Sequence, residues 1–319
     1  MPFLRVIKPG LLTTIQDRGR FHYQKWGVPV AGAMDDYALR VGNLLVGNDV
    51  GECCLEITIL GPEIEFFKPG VVALTGADLG AKLNDRHCKP WASFQVDKGA
   101  VLRFTGNRNG CRAYLAAAGG FKVSSVLESK ATFLRASIGG MDGRALREGD
   151  ELEINVPVKN YKFIGKALPV EYRNIPAYPQ TVRVVLGPQD DAFTQEGINT
   201  FLQSKYMVTH ESDRMGCRLE GPKIQHHNGP DIISDGIAAG SIQVPGNGKP
   251  IVMMADRQTA GGYAKIATVI TPDLWKLAQA KPGDYLRFTS FTLAQAHEAY
   301  KEYENLLKLL PEKLIAISN

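Results

Sequence analysis

The sequence predicts a mostly β protein: two cyclophilin-like β-barrel halves followed by a C-terminal α-helix. Three observations carry the β assignment and the helix. Short runs rich in Val, Ile, Leu and Phe are punctuated by 33 glycines and 18 prolines. One phrase, Gly-x-x-Leu-x-apolar, recurs at three distant places. A single stripe of apolar residues at spacings of three and four appears only near the C-terminus. The chain has 319 residues, 44% of them apolar, which suits two cores of ordinary size.

In chain order, the strand-like runs are 56–60 (EITIL), 70–74 (GVVAL), 100–104 (AVLRF), 151–155 (ELEIN) and 182–186 (VRVVL). Their lengths and bounding turns are those of strands in a sandwich or barrel. The recurring phrase reads GAVLRF at 99–104, GDELEI at 149–154 and GDYLRF at 283–288, a turn glycine leading into an alternating strand. This repetition predicts two related halves. Strand runs weaken and Pro169, Pro176 and Pro179 accumulate between 156 and 180, which places the seam there; we divide the chain at 1–165 and 166–319. Over 292–310, Leu293, Ala296, Tyr300, Tyr303, Leu307 and Leu310 share one helical face. Thr292 with Gln295 reads as a capping box and Pro311 as the stop. That face either packs back on the barrel or is offered to a partner.

Composition removes several function classes. Lys+Arg total 37 and Asp+Glu 33, a formal charge of +4 with no block of like charges, so nucleic acid is not expected. Cys53, Cys54, Cys88, Cys111 and Cys217 are odd in number and lack C-x-x-C spacing, as in a reduced cytoplasm. The opening MPFLRVIKPG has no signal-like core and no uncharged apolar run reaches membrane length. The expectation is a cytoplasmic protein outside the membrane.

Polar residues gather in five clusters beside strand or turn signals: 13–19 (TTIQDRG), 30–35 (VAGAMD), 211–219 (ESDRMGCRL), 240–245 (GSIQVP) and 253–263 (MMADRQTAGGY). Three contain an adjacent Asp-Arg, at 17–18, 213–214 and 256–257. In an extended segment neighbours face opposite ways, so Asp256 and Gln258 would look to one side and Arg257 and Thr259 to the other; the Asp and Arg of one dipeptide need not pair. A guanidinium matches a carboxylate with two parallel N–H bonds, as a site for a small anionic substrate requires. The alternative is that the dipeptides tie barrel corners. Gly246-Asn-Gly-Lys-Pro250 lacks the spacer and hydroxyl of a phosphate loop. No G-x-S-x-G elbow occurs. The six histidines form no H-E-x-x-H, so no metal is expected. Cys53-Cys54 reads as a small apolar pair rather than a nucleophile.

Taken in order, PGLLTTIQDRGR (9–20), GVPVAGAMD (27–35), LLVGN (44–48), LTGAD (74–78), RAYLAAAGG (112–120), GPQDDAF (187–193), SDRMGCRLEGP (212–222), GSIQVPGNGKPIVMMADRQTAGGY (240–263) and PGDYLRF (282–288) resemble the biotin-dependent carboxyltransferase family. That family includes the C subunit of ATP-dependent 5-oxoprolinase, the KipA-like proteins and the carboxyltransferase region of urea amidolyase and urea carboxylase. The resemblance implies the cyclophilin-like architecture and an ATP-dependent amide (lactam) hydrolase active only in a heteromeric complex. Its partners would be the KipI-like B subunit of 5-oxoprolinase together with the A subunit, and its substrate a small amide. ATP with Mg would be bound only in the complex. Biotin is not expected, since no Met-Lys-Met carrier motif is present. The resemblance also implies two alternatives: a regulatory protein that binds a KipI-like histidine-kinase inhibitor through the same partner contact, or a stand-alone biotin-dependent urea or amide carboxyltransferase.

Matching motif to motif places Asp256, Arg257, Asp213 and Arg214 as catalytic residues, with Arg257 and Arg214 binding the substrate carboxylate. Gln16, Asp17, Arg18, Arg218, Gln243, Gln258, Thr259 and Tyr263 would bind substrate. The chain departs from the family pattern at 127–132 (LESKAT), where relatives more often read Gly-Ser-Arg-Ser-Thr, and at Ala260, where they usually have Thr.

Overall fold

The structure is a computed structural model that describes residues 1–155 and 161–317. The first five residues of the predicted seam, 156–160, lie outside the described residues. The chain forms two compact units, one of Met1–Arg20, Ala31–Ile175 and Lys308–Asn319, the other of Phe21–Val30 and Pro176–Leu307. The fold is mostly β with a C-terminal helix, as the sequence predicts.

In the first unit, Leu12–Gln16, Cys54–Thr58, Asn109–Ala117, Gly70–Asp78, Ala92–Val96, Lys166–Ala167 and Ile315–Ala316 lie side by side in one sheet. A six-stranded sheet runs Glu151–Leu152, Leu4–Lys8, Glu63–Phe66, Val101–Phe104, Ala81–Leu83 and Arg86–His87. Inward residues of both sheets, among them Val6, Ile15, Leu55, Ile64, Phe66, Val72 and Leu115, form one core.

In the second unit a sheet closes on itself in the order Gln180–Leu186, Lys265–Val269, Ser241–Gln243, Ile251–Met253, Gly216–Glu220, Tyr206–Val208 and Tyr285–Ser290. Closure leaves this barrel no free edge. Val182, Val184, Leu219, Ile242, Val252 and Leu286 are buried, and Phe201 stacks on Phe288 at 4.6 Å between ring centroids. A separate ribbon pairs Asp231–Gly236 with Ala260–Tyr263.

The repeated phrase is one turn used three times. Gly99, Gly149 and Gly283 have φ of 82°, 86° and 91°. Each follows position i+1 of a turn closed by a backbone bond, Ala100 N–H to Asp97 O, Asp150 N–H to Arg147 O and Asp284 N–H to Lys281 O. A residue with positive φ at i+2 is the mark of a type II turn, where an L side chain is strained.

Helices are where the sequence reading falls short. Besides the C-terminal one, Asp36–Val46, Gln195–Gln203 and Leu274–Ala278 are α-helical. Asp36–Val46 buries nine of its eleven residues, and at about three turns it is too short for its apolar spacing to stand out among the strand-like runs around it. Asp35, the acid of the 30–35 cluster, is its N-cap and accepts the Ala38 N–H. The C-terminal helix runs Leu293–Lys313, through Pro311 rather than stopping at it. Proline removes one N–H, and two residues further on the helix ends, so the stop is displaced by less than a turn. Its start matches the reading: Thr292 N–H donates to Gln295 Oε1 at 2.8 Å and Gln295 N–H to Thr292 Oγ1 at 3.2 Å. Among the described residues no helix is long and apolar enough to cross a membrane.

Candidate functional site

The barrel of the second unit sets side chains by the pleat. Cys217 and Leu219 of one strand, Val252 of the next and Ile242 of the third are buried, which leaves Arg218, Ile251 and Gln243 on the opposite face. The register makes these three direct neighbours, Arg218 opposite Ile251 and Ile251 opposite Gln243. All three line a cavity of about 370 Å³, joined by Gln258 and Tyr263 from the 253–263 segment. Its polar wall holds one guanidinium, the carboxamides of Gln243, Asn247 and Gln258, and the Tyr263 phenol. Arg218 makes no side-chain hydrogen bond or ion pair among the described residues and is exposed. Gln243 is buried, and its Nε2 lies 3.5 Å from the Tyr263 carbonyl.

Gly261 leaves room for the Gln243 and Gln258 amides. A Cβ there would stand 2.6 Å from Gln258 Nε2 and 2.9 Å from Gln243 Nε2, so a side chain at 261 would push the two amide ends aside, and the bare backbone leaves them where they are.

The other predicted residues of this unit form the frame behind the cavity. Two Asp-Arg dipeptides pair crosswise: Arg214 Nε and Nη2 donate to Asp256 Oδ2 and Oδ1 at 3.0 and 2.9 Å, with both side chains buried. The backbone repeats the link, Asp256 N–H to Arg214 O at 2.8 Å. The strand ends at Met253, so the facing expected from extended alternation does not extend to 256–259. Arg257 donates to the carbonyls of Ile237 and Met254 at 3.1 and 3.2 Å. Burial pushes its guanidinium below the ordinary value, and it remains charged at neutral pH. Asp213 Oδ1 accepts from Met215 N and Gly216 N at 2.8 and 3.1 Å, closing the turn into the strand. Thr259 accepts the Ile237 N–H through its carbonyl. None of Asp213, Arg214, Asp256, Arg257 and Thr259 lines the cavity.

In the first unit, Gln16 is buried and donates to Thr14 Oγ1 and the Thr132 carbonyl at 3.0 and 3.1 Å. Asp17 accepts from Ser129 Oγ and the Lys130 N–H at 2.7 and 2.6 Å. Arg18 reaches Asp36 at 2.9 Å. The 127–132 segment, where the chain departs from the family pattern, is thus held by Asp17. Leu127 and Glu128 form the turn between the bridged Val126 and Ser129 with φ of 51° and 61°.

Sequence reasoning missed a cluster on the ribbon. Lys265, 1% exposed, donates to Asp235 Oδ2 at 2.7 Å and to the Gly236 carbonyl at 3.2 Å. Gln189 Nε2 reaches the same Asp235 oxygen at 3.2 Å. The bond from Lys265, then those from Gly236 and Gln189, hold the Asp235 carboxyl below its ordinary value. One signal was available: a lone lysine in the apolar run 264–270 (AKIATVI).

Residues 26–290 match the family model "Carboxyltransferase domain, subdomain A and B". The chain is 36% identical to the 5-oxoprolinase C subunit of Escherichia coli K12 over 313 residues, 98% of each chain. It is 32% identical to urea amidolyase of Saccharomyces cerevisiae over 96% of this chain but 18% of that protein. Among solved structures it resembles the Kluyveromyces lactis urea amidolyase at 30% identity and a TM-score of 0.91, covering all of this chain and 21% of that one. It resembles TTHA0988 at 35% identity and a TM-score of 0.82, spanning 56% of that chain.

Proposed function

This chain belongs to the carboxyltransferase domain family, subdomains A and B, and on that premise we propose that it is the C subunit of an ATP-dependent 5-oxoprolinase. In this reading it acts with a KipI-like B subunit and with the A subunit to open 5-oxoproline to glutamate. The single observation that carries the proposal is the cavity's polar wall, the Arg218 guanidinium without a partner among the described residues beside the carboxamides of Gln243, Asn247 and Gln258. 5-Oxoproline offers one carboxylate and one ring amide. A guanidinium meets the carboxylate with two parallel bonds, and a carboxamide, donor and acceptor at once, meets the lactam N–H and C=O.

The carboxylate role falls to Arg218 rather than to Arg214 or Arg257. Arg214 gives Nε and Nη2 to Asp256, and Arg257 is turned to two backbone carbonyls. Asp213, Arg214, Asp256, Arg257 and Thr259 act as the frame that holds the 253–263 segment in place. Gln16, Asp17 and Arg18 serve the first unit.

ATP, when bound to the complex, supplies the driving force for an otherwise unfavourable ring opening. The glycine-rich stretch of this chain does not fit its phosphates: it is a loop between two barrel strands, and Lys249 is bonded to Glu220 at 2.5 Å.

The test is release of glutamate and ADP from 5-oxoproline and ATP by this chain with its KipI-like partner and its A-type partner, each protein omitted in turn. Turnover should require this chain. Arg218→Ala should raise KM about 10- to 100-fold, the worth of one charge-assisted bond. Unchanged kinetics in Arg218→Ala and Gln243→Ala would remove the cavity from the reaction.

A further inference from the structure

Resting on the reading that this cavity is the substrate site, we propose that Lys265 is a catalytic residue of it: its ammonium binds the substrate's amide carbonyl oxygen, and Asp235 holds the ammonium until substrate arrives.

The placement comes from register. Arg218, Ile251 and Gln243 form a row across three neighbouring strands, and the fourth strand continues that row with Lys265, directly opposite Gln243. Residues directly opposite one another share a sheet face. The regular register would have set Ile266 there, but the pairing shifts: Ile242 is opposite Ala267 while Gln243 is opposite Lys265. Ile266 is therefore the extra residue of a bulge, a device that re-aims the side chain beside it. Here it sets the lysine on the sheet face whose other members line the cavity; with its ammonium held by Asp235 and Gly236, Lys265 is not itself among the lining residues.

The ribbon gives an independent indication of the same proximity. Asp235, which holds the ammonium, lies opposite Gly261, the residue whose backbone packs against the Gln243 and Gln258 amides. Ammonium and both carboxamides are thus gathered around one strand pairing.

Charge and burial indicate exchange. Lys265 is 1% exposed and Asp235 52%, so a buried cation relies on a carboxylate carried by an exposed strand. A methionine would pack in the same space without that desolvation cost. Of three ammonium donors, the structure pairs two, with Asp235 and Gly236; the third has no acceptor among the described residues. When water adds to a lactam carbonyl carbon, negative charge collects on the carbonyl oxygen before the C–N bond opens and the nitrogen leaves with a proton. A fixed ammonium with the Gln243 amide beside it stabilises that charge. Lys265 stays protonated and unmodified throughout.

Lys265→Met and Asp235→Asn break the same ion pair, and their comparison tests the assignment in the assembled complex. If Lys265 only anchors the ribbon, Asp235→Asn is at least as harmful as Lys265→Met, because it strands a buried cation. The expected result is the reverse for turnover: Lys265→Met lowers kcat about 100-fold or more with KM within about threefold, and the loss of kcat in Asp235→Asn is at least about tenfold smaller. The thermal midpoint should fall further in Asp235→Asn, and Lys265→Arg should recover about tenfold of the kcat lost in Lys265→Met. Equal losses of kcat in the two variants, or none in Lys265→Met, overturn the role of Lys265 while an Arg218→Ala defect leaves the cavity reading standing.

Reductive methylation of the chain with formaldehyde and borohydride, read by peptide mass, extends the test to a complex without turnover. Protection of Lys265 by 5-oxoproline supports the proposal. Calorimetric binding of 5-oxoproline that Arg218→Ala abolishes, with no protection of Lys265, overturns it alone. Absence of binding overturns the cavity reading and the proposal with it.

Discussion

Asp256 shows how one residue type serves two ends. Its carboxylate receives a two-point grip from Arg214, with both partners buried, so its energetic weight lies in what remains if one partner is removed. Asp256→Asn should cost about 3–5 kcal/mol because it leaves a buried guanidinium uncompensated. A urea unfolding curve should show a lower midpoint at unchanged slope. Arg218, exposed in mid-strand, should be nearly silent in the same assay when changed to Ala, within about 0.5 kcal/mol. The residue identities of the site were legible in part. Arg218, Gln243, Gln258 and Tyr263 stand out as polar residues beside strand signals, and the structure brings them to one cavity. The separation of these four from Arg214, Asp256 and Arg257 was not legible, since it depends on a pairing across 42 residues of chain. Lys265 was missed because a register shift, absent from any local pattern, decides the face it occupies.

At the scale of elements, the three type II turns make a matched set. Nothing lies within 4 Å of the place where a Cβ would stand on Gly99, Gly149 or Gly283, so alanine there meets no neighbour and feels only the backbone. Each Gly→Ala change should therefore cost about 1–2 kcal/mol, and the three values should agree within about 0.5 kcal/mol; a spread beyond that would mean the turns differ in ways their shared phrase does not express. The ribbon is a different kind of element, exposed along Asp231 and Ile233–Gly236. Asp235 has its pKa lowered chiefly by the Lys265 bond, so its contribution is complete above the ordinary carboxylate value of 3.8 and is lost as pH falls through the depressed one. Hydrogen exchange of the ribbon amides, corrected for the intrinsic pH dependence, should show constant protection from neutral pH down to that value. Protection should fall only below it, and Asp235→Asn should show the low-pH behaviour at pH 7. Loss of protection between pH 5 and 7 would assign the ribbon's stability to other groups.

Over the whole molecule the five cysteines report on integrity. All are free and buried, and burial pushes the thiol of Cys88 up to about 11 and those of Cys53 and Cys54 higher still. Thiolate is the reactive form, so iodoacetamide at pH 8 should leave the folded chain unmodified and label Cys53, Cys54 and Cys88 only as each unit opens. Since Cys217 lies in the second unit and the other four in the first, labelling at rising urea separates the two unfolding transitions. Rapid labelling of native Cys53 or Cys54 would contradict their complete burial.

The sequence by itself determined the β class, the turn glycines that lead into strands, the capped C-terminal helix and the family. Each of these rests on composition, on a few adjacent residues or on ordered motifs, and hydrogen-bonding and φ preferences act over just such short spans. Tertiary structure alone decided which polar residues face a cavity and which are locked behind it. Arg214 finds Asp256, Gly261 leaves room for the Gln243 and Gln258 amides, and a one-residue bulge sets Lys265 opposite Gln243. Those outcomes depend on strand register, and with a side-chain period of two, a shift of one residue exchanges the core face for the face that carries the cavity's residues.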